Sequence, residues 1–319
     1  MCSFENIAKE TMDLLNNNTE WIDRYSSYAD DIISRIDIIK KAKSMFRCRK
    51  PFGVYISTSN AKDGVNVVRF SLRYKGQHIA ELNVNAAKGT VTINTDSKTV
   101  KSNIEQFGFD RVLSNAPWQS EEAKELRNFF LKKSPYKDNH IEHMLESLIL
   151  GELLKKHKTK LRGIKPVQIG GVRYSMPTPL KASGTSVEYS AQYGGGIDIF
   201  TRCRIAGEVR LNVMELKDEN IKAEPPEKVI KQAIKYAVFI QYLLRSKSGQ
   251  KWWKLFGFSR TLPEHITINA TCLMPVGYCN DKSFANKTID VNGDTIELHY
   301  IYFTGDYNNE VLKIVDSSI

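Results

Sequence analysis

The stretch that decides the fold is 194-GGGIDIF-200, followed by the turn-prone 205-IAGE-208, then 211-LNVMELKDE-219 and, past Pro225 and Pro226, a helix-patterned run carrying 232-QAIKY-236. In a strand successive side chains alternate, so Leu211, Val213, Glu215 and Lys217 share one face, and Asn212, Met214 and Leu216 the other. The first face begins apolar and ends in a carboxylate beside an ammonium. Such groups are costly to bury unless they have a partner or a job. Asp198 interrupts a second strand-like run between Ile197 and Ile199. A hairpin around Ile205–Glu208 lays the two runs side by side and brings Asp198 within metal-bridging distance of Glu215.

Two carboxylates form a hard, oxygen-rich pair suited to Mg²⁺, with Mn²⁺ as the substitute, an ion that keeps several of its waters. Such an ion polarises a phosphodiester oxygen and lowers the pKa of a bound water. A lysine alongside orients or deprotonates that water, or stabilises the developing negative charge. A structural ion pair between Lys217 and either carboxylate would read the same way. The tripeptide ExK alone carries little weight, because composition supplies about one or two in a chain of this size. Glu122-Ala-Lys124 is such a decoy, in a helical pattern where residues two apart diverge; Glu215-Leu-Lys217 lies in a strand pattern, where they converge.

The order Asp, then ExK, then helix resembles the PD-(D/E)XK nuclease superfamily. GGGIDIF and MELKDE look like its second and third motifs, and QAIKY resembles the QxxxY motif of the RecB-type branch, although Ile197 stands where a proline is usual. The resemblance covers roughly Ile141–Val276. It implies an α/β fold with a restriction-endonuclease-like core, a mixed central β-sheet flanked by helices, and a metal-dependent DNA nuclease activity. Asp198 and Glu215 would hold the metal and Lys217 the attacking water. Gln232 and Tyr236, four apart on one helix face, would position site or substrate. An acidic residue on the preceding helix often completes the metal site in that superfamily; Glu146 is the first choice and Glu142 the alternate.

Outward from this centre, IEHMLESLILGELLKK (Ile141 to about Lys156) reads as a helix with an apolar stripe. Between Lys155 and Lys181 the charged residues are all basic. Lys155, Lys156, Lys158, Lys160, Arg162, Lys165 and Arg173 form a candidate phosphate-tracking surface, with a solvated loop as the competing reading. Ser120–Lys133 reads as a helix capped by Ser120 and broken at Ser134-Pro135, which sets the expected boundary between domains 1–135 and 136–319. Phe52–Asn94 changes to period two: GVYIS, VNVVRFSLRY, HIAELNV and TVTIN, an expected antiparallel meander. Residues Ser3–Lys50 read as helical and end in a basic tail, Lys40, Lys41, Lys43, Arg47, Arg49 and Lys50. That tail either touches phosphates or complements a helix dipole. The first domain is therefore an α+β module of unassigned role.

The bulk numbers agree with a folded protein: 41% hydrophobic and 26% charged residues are ordinary for a globular chain. A formal net charge of +10 favours a polyanionic partner, DNA first. Five cysteines without a CxxC pair suggest neither a zinc site nor a secreted disulfide framework, so a cytoplasmic, reducing setting is expected. No membrane-spanning run is expected, and a homodimer is compatible with the sequence. Two other functions fit the same pattern: a nucleic-acid-binding protein of this fold without catalysis, and a regulatory or assembly subunit meeting an acidic protein.

Overall fold

The computed structural model describes residues 3–56, 66–132, 141–153, 163–218, 224–277, 280–306 and 311–319. Three helices come first, α1 (Phe4–Asn17), α2 (Glu20–Ser34) and α3 (Ile36–Ser44). The strands β1 (Phe52–Ile56), β2 (Val67–Tyr74), β3 (Gln77–Asn85) and β4 (Thr90–Asn94) follow, then α4 (Lys98–Gln106), β5 (Ala116–Pro117), α5 (Glu121–Lys132) and α6 (Ile141–Leu153). Short strands fill the middle: β6 (Lys165–Pro166), β7 (Gln168–Ile169), β8 (Val172–Tyr174), β9 (Pro177–Thr178), β10 (Leu180–Ala182), β11 (Val187–Tyr189) and β12 (Gly195–Gly196). The chain ends with β13 (Ile199–Ile205), β14 (Glu208–Leu216), α7 (Pro226–Arg245), α8 (Gly249–Leu255), β15 (Thr267–Pro275), β16 (Thr288–Val291), β17 (Asp294–Asp306) and β18 (Val311–Ser317). The class is mixed α/β.

These elements form two compact units. One comprises Met1–Asp30, Leu148–Val167 and Ser175–Ile319; the other comprises Asp31–Ser147 and Gln168–Tyr174. They are not the segments 1–135 and 136–319, because α1 packs against α7 and so joins the unit built from the C-terminal sheet. The expected break at Ser134-Pro135 lies outside the described residues.

The unit containing Asp31–Ser147 is organised by a sheet in the order β5-β4-β3-β2-β1-β8-β7, antiparallel except where β8 runs parallel to β1. The expected meander forms. β2 and β3 are joined through Lys75 and Gly76, with φ of 46° and 87°, the double left-handed geometry that matches a two-residue turn to strand twist. Val68, Phe70, Leu72 and Tyr74 of β2 point inward at every second position. Ser120 caps α5 by accepting the Ala123 N–H at 3.3 Å. Phe130 of that helix packs on Tyr74 and Phe107, with ring centroids 4.8 and 5.3 Å away.

In the other unit a mixed sheet runs β16-β17-β15-β14-β13-β6, with β18 added on β17. β13 and β14 form the anticipated antiparallel hairpin. Its turn residues, Ala206 and Gly207, have φ of 49° and 87°, again the geometry of a tight hairpin. The chain then crosses through α7 to β15, which lies parallel to β14, and β17 is parallel to β15. A parallel neighbour requires such a crossover, since a short turn only returns the chain antiparallel. α7 starts at Pro226, where the missing N–H costs nothing. It packs on β14, β15 and β17 and also against α1, so fourteen of its twenty residues are buried. Trp21, Tyr25, Phe239 and Trp252 close an aromatic cluster around it. No helix among the described residues is long and apolar enough to cross a membrane.

Candidate active site

The carboxylates meet where β14 ends. Ile199 pairs with Met214, so continuing the register by one residue sets Asp198 opposite Glu215. Asp198 itself stands at a bend immediately before β13 rather than within a strand. Its Oδ2 accepts the Leu216 N–H at 3.0 Å, which ties the bend to the end of β14. Glu215 is 2% exposed and Lys217 9%. Lys217 Nζ donates to Glu215 Oε1 at 3.0 Å, as expected for residues two apart in extended chain. The ladder runs on past the end of β14, since the Lys217 N–H reaches the Leu273 carbonyl at 3.1 Å. The decoy behaves differently: Lys124 pairs with Glu121, one helical turn away, and not with Glu122.

Helix α7 brings Gln232 and Tyr236 to the same place. Burial pushes the Tyr236 phenol up, and the negative charges of Glu215 and then Asp198 push it further. Hydrogen bonds with Gln232 and the Ala182 backbone oppose this without reversing it. Tyr236 is thus a neutral phenol facing both carboxylates. The glycine run has a steric reason at Gly195: a Cβ there would stand 2.9 Å from the Tyr236 hydroxyl and 3.2 Å from the Leu180 carbonyl. A side chain would displace the tyrosine.

Asp198, Glu215, Lys217, Gln232 and Tyr236 are therefore brought together. Glu146 belongs to the other compact unit, where Arg73 approaches it to 3.8 Å, His143 to 3.8 Å and the Tyr55 hydroxyl to 3.4 Å. Its alternate, Glu142, is in the same helix. Of the basic segment, Lys155, Lys156, Lys158, Lys160 and Arg162 lie outside the described residues. Lys165 is exposed on β6, and Arg173 is half-buried, donating to the Tyr55 hydroxyl at 3.2 Å.

Among the described residues, no group of three or more His, Cys, Asp and Glu side chains is arranged to hold a metal ion. Any fit therefore rests on the pair of carboxylates. Oxygen donors alone, one or two carboxylates with water and substrate phosphate completing the shell, are what Mg²⁺ accepts. Cys272, which pairs with Glu215 across to β15, does not change the donor set. Burial, with Glu215 next, pushes its thiol up. Asp198 and Glu215 supply oxygen donors, the donor type a hard divalent cation takes.

Sequence reasoning missed three polar features. Lys235, within QAIKY, is 2% exposed and donates to the Ser183 and Ser186 carbonyls at 2.8 and 3.0 Å, holding the β10–β11 turn to α7. Asp294 accepts from Gln241, Arg245 and the Ile266 N–H. On the sheet face opposite Glu215, Thr271 donates to Asn212 at 2.6 Å, Asn269 contacts the Cys203 sulfur at 3.2 Å, and Arg210 pairs with Glu297 at 2.6 Å. Only polar and charged residues inside apolar runs hinted at these. A cavity of about 580 Å³ lies at the turn end of the β13–β14 hairpin, lined by Arg202, Arg204 and Trp253 among others. It includes none of the five grouped residues.

No known family model matches the chain, and no curated protein or solved structure gives a significant match.

Proposed function

We propose that the unit containing α7 is a restriction-endonuclease-like core of the PD-(D/E)XK type and that the protein is a metal-dependent nuclease acting on DNA. The observation that carries this reading is the junction itself: Asp198 opposite Glu215, Lys217 3.0 Å from Glu215, and Tyr236 within electrostatic reach of both carboxylates. The mixed sheet with its hairpin, crossover helix and parallel strand β15 supports this reading at the level of α/β class.

On this reading Asp198 and Glu215 hold Mg²⁺, which when bound polarises the scissile phosphate and acidifies a coordinated water. Lys217 has two tasks. Its ammonium offsets the carboxylates while no substrate is present, and it orients the attacking water or stabilises charge on the phosphate oxygens. Tyr236 keeps its proton, so its hydroxyl serves as a neutral donor toward the site, oriented by Gln232. The Leu216 N–H, donating to Asp198, helps hold the carboxylate in place.

The test is incubation of purified protein with supercoiled plasmid and a single-stranded circle in Mg²⁺, Mn²⁺ or EDTA, alongside Asp198→Ala and Lys217→Ala. Metal-dependent cutting lost in both variants is the expected outcome. Cutting that survives in either variant overturns the assignment of that residue. DNA binding without cutting by all forms favours a binding protein of the same fold.

A further inference from the structure

Beyond the proposed catalytic junction, the other compact unit carries a cavity of about 460 Å³. Arg47, Arg49, Lys50, Lys124 and Arg127 line it, and no carboxylate does. Its size is within the range of about 300–1,000 Å³ typical of pockets for small ligands. Phe52, Trp118 and Leu131 add apolar wall, and Leu131 is 53% exposed.

The cations are not all accounted for by the fold. Helix α3 ends at Ser44, and its last turn holds only Lys41 and Lys43. A helix dipole acts over about one turn, so it explains those two and not Arg47, Arg49 and Lys50 beyond them. All three are exposed, and no ion pair to any of them occurs among the described residues. Lys124 is offset by Glu121 at 2.7 Å. Arg127 lies over the Trp118 ring, 3.9 Å from its centroid, and donates to the Trp118 carbonyl at 2.7 Å. Cys48 lines the cavity as a neutral thiol, because burial pushes it up to about 11.

Clustered cations around a concavity repel one another, and an incoming polyanion relieves that repulsion. A positively charged groove with apolar and aromatic wall is what tracks a single-stranded backbone while leaving room for a sugar or base. A duplex presents its phosphates on a convex surface and does not enter such a concavity. We propose that this cavity is a binding site for single-stranded nucleic acid, with Arg47, Arg49 and Lys50 on the phosphates and Phe52 and Leu131 against the adjoining sugar or base. This site is independent of the nuclease reading.

The experiment uses the full chain in EDTA, so that cleavage plays no part, and follows the anisotropy of a short labelled single-stranded oligonucleotide over a series of salt concentrations. The triple variant Arg47→Ala/Arg49→Ala/Lys50→Ala is compared with Lys88→Ala/Lys98→Ala/Lys101→Ala, which removes the same charge from exposed positions outside the cavity. The first triple should weaken binding about tenfold or more. It should also lower the slope of log affinity against log salt by about 2, since each phosphate that is no longer neutralised takes away about 0.7. The control should leave both nearly unchanged. Leu131→Glu, which puts a carboxylate at the wall and removes no cation, should also weaken binding about tenfold. Equal losses in the two triples would reduce the site to bulk charge and overturn the proposal. So would unaltered affinity in the first triple and in Leu131→Glu. Loss of binding to phosphatidylserine vesicles with oligonucleotide binding intact would overturn it in favour of a lipid surface.

Discussion

The Glu215–Lys217 pair makes opposite predictions for stability and for chemistry, and a pair of variants separates them. Lys217→Met removes the ammonium 3.0 Å from the Glu215 carboxylate, which is 2% exposed. Removing one partner of a buried ion pair costs about 3–5 kcal/mol, because the remaining charge keeps its desolvation penalty. Adding Glu215→Gln removes that charge too. Replacing a whole buried pair with neutral residues of similar volume is often neutral or stabilising by about 1–4 kcal/mol. The single variant should therefore unfold at much lower urea, and the double variant should recover to the wild-type midpoint or beyond. Tryptophan emission suits the assay, since Trp21, Trp252 and Trp253 belong to the unit holding the pair and only Trp118 to the other. Plasmid cleavage in Mg²⁺ is measured on the same samples. The double variant should be folded and inactive. A double variant that still cuts would refute the site. One as unstable as Lys217→Met would refute the electrostatic origin of the cost.

Other perturbations probe single contacts. Asp294→Asn should destabilise by about 3–5 kcal/mol, since Arg245 and Gln241 converge on this buried carboxylate. Burial raises the Asp294 carboxyl, but Arg245, Gln241 and the Ile266 N–H together hold it below the usual range. Its stabilisation is thus present above the ordinary aspartate value of about 3.9 and lost as pH falls through the lower folded value, so acid melts of Asp294→Asn should be flatter than wild type. Gly195→Ala, whose Cβ would sit 2.9 Å from the Tyr236 hydroxyl, should cost about 1–3 kcal/mol and lower cleavage; unchanged melting and cutting would show that Tyr236 gives way freely. Burial, reinforced by Arg73, pushes His78 down to about 4. Its contribution is intact above the unfolded value of about 6.5 and is lost as pH falls from there through about 4. Thermal melts of His78→Gln should lack that part of the acid sensitivity.

Local geometry is legible in the sequence and distant partnership is not. Alternation places Glu215 and Lys217 on one face, and Ala206-Gly207 marks the hairpin, because both follow from neighbours in the chain. Pro226 marks the start of α7 for the same reason. The pattern predicts Asp198 inside a strand, but its run is broken into β12 and β13, and the bend between them puts the side chain on the Leu216 N–H. Apolar periodicity shows α1 to be amphipathic without showing which sheet it covers. Its buried face, Ile7, Ala8, Thr11 and Leu15, belongs to a helix packed against α7, more than two hundred residues on. Asn212 with Thr271, and Gln241 and Arg245 with Asp294, are similarly remote in sequence. A buried polar residue announces that a partner exists and says nothing of where it lies.

Two buried carboxylates of the α7 unit, Asp294 and Glu215, show why on the proposed reading one is structural and the other belongs to a site. Asp294, at the start of β17, receives Gln241 and Arg245 from α7 and the Ile266 N–H from the segment before β15. Those bonds fasten three parts of the chain together, a return that answers the cost of burying the charge. The bond between Lys217 and Glu215 joins residues two apart in a single extended run, where the backbone ladder already holds the chain. Its neighbours include Asp198 across the register, which adds negative charge, and the Tyr236 phenol, a neutral donor. On the proposed nuclease reading, a charge pair that is expensive to bury and so local in the chain serves the ligand rather than the fold. Asp294→Asn should accordingly cost stability while leaving cutting per folded molecule unchanged. Glu215→Gln with Lys217→Met should do the reverse.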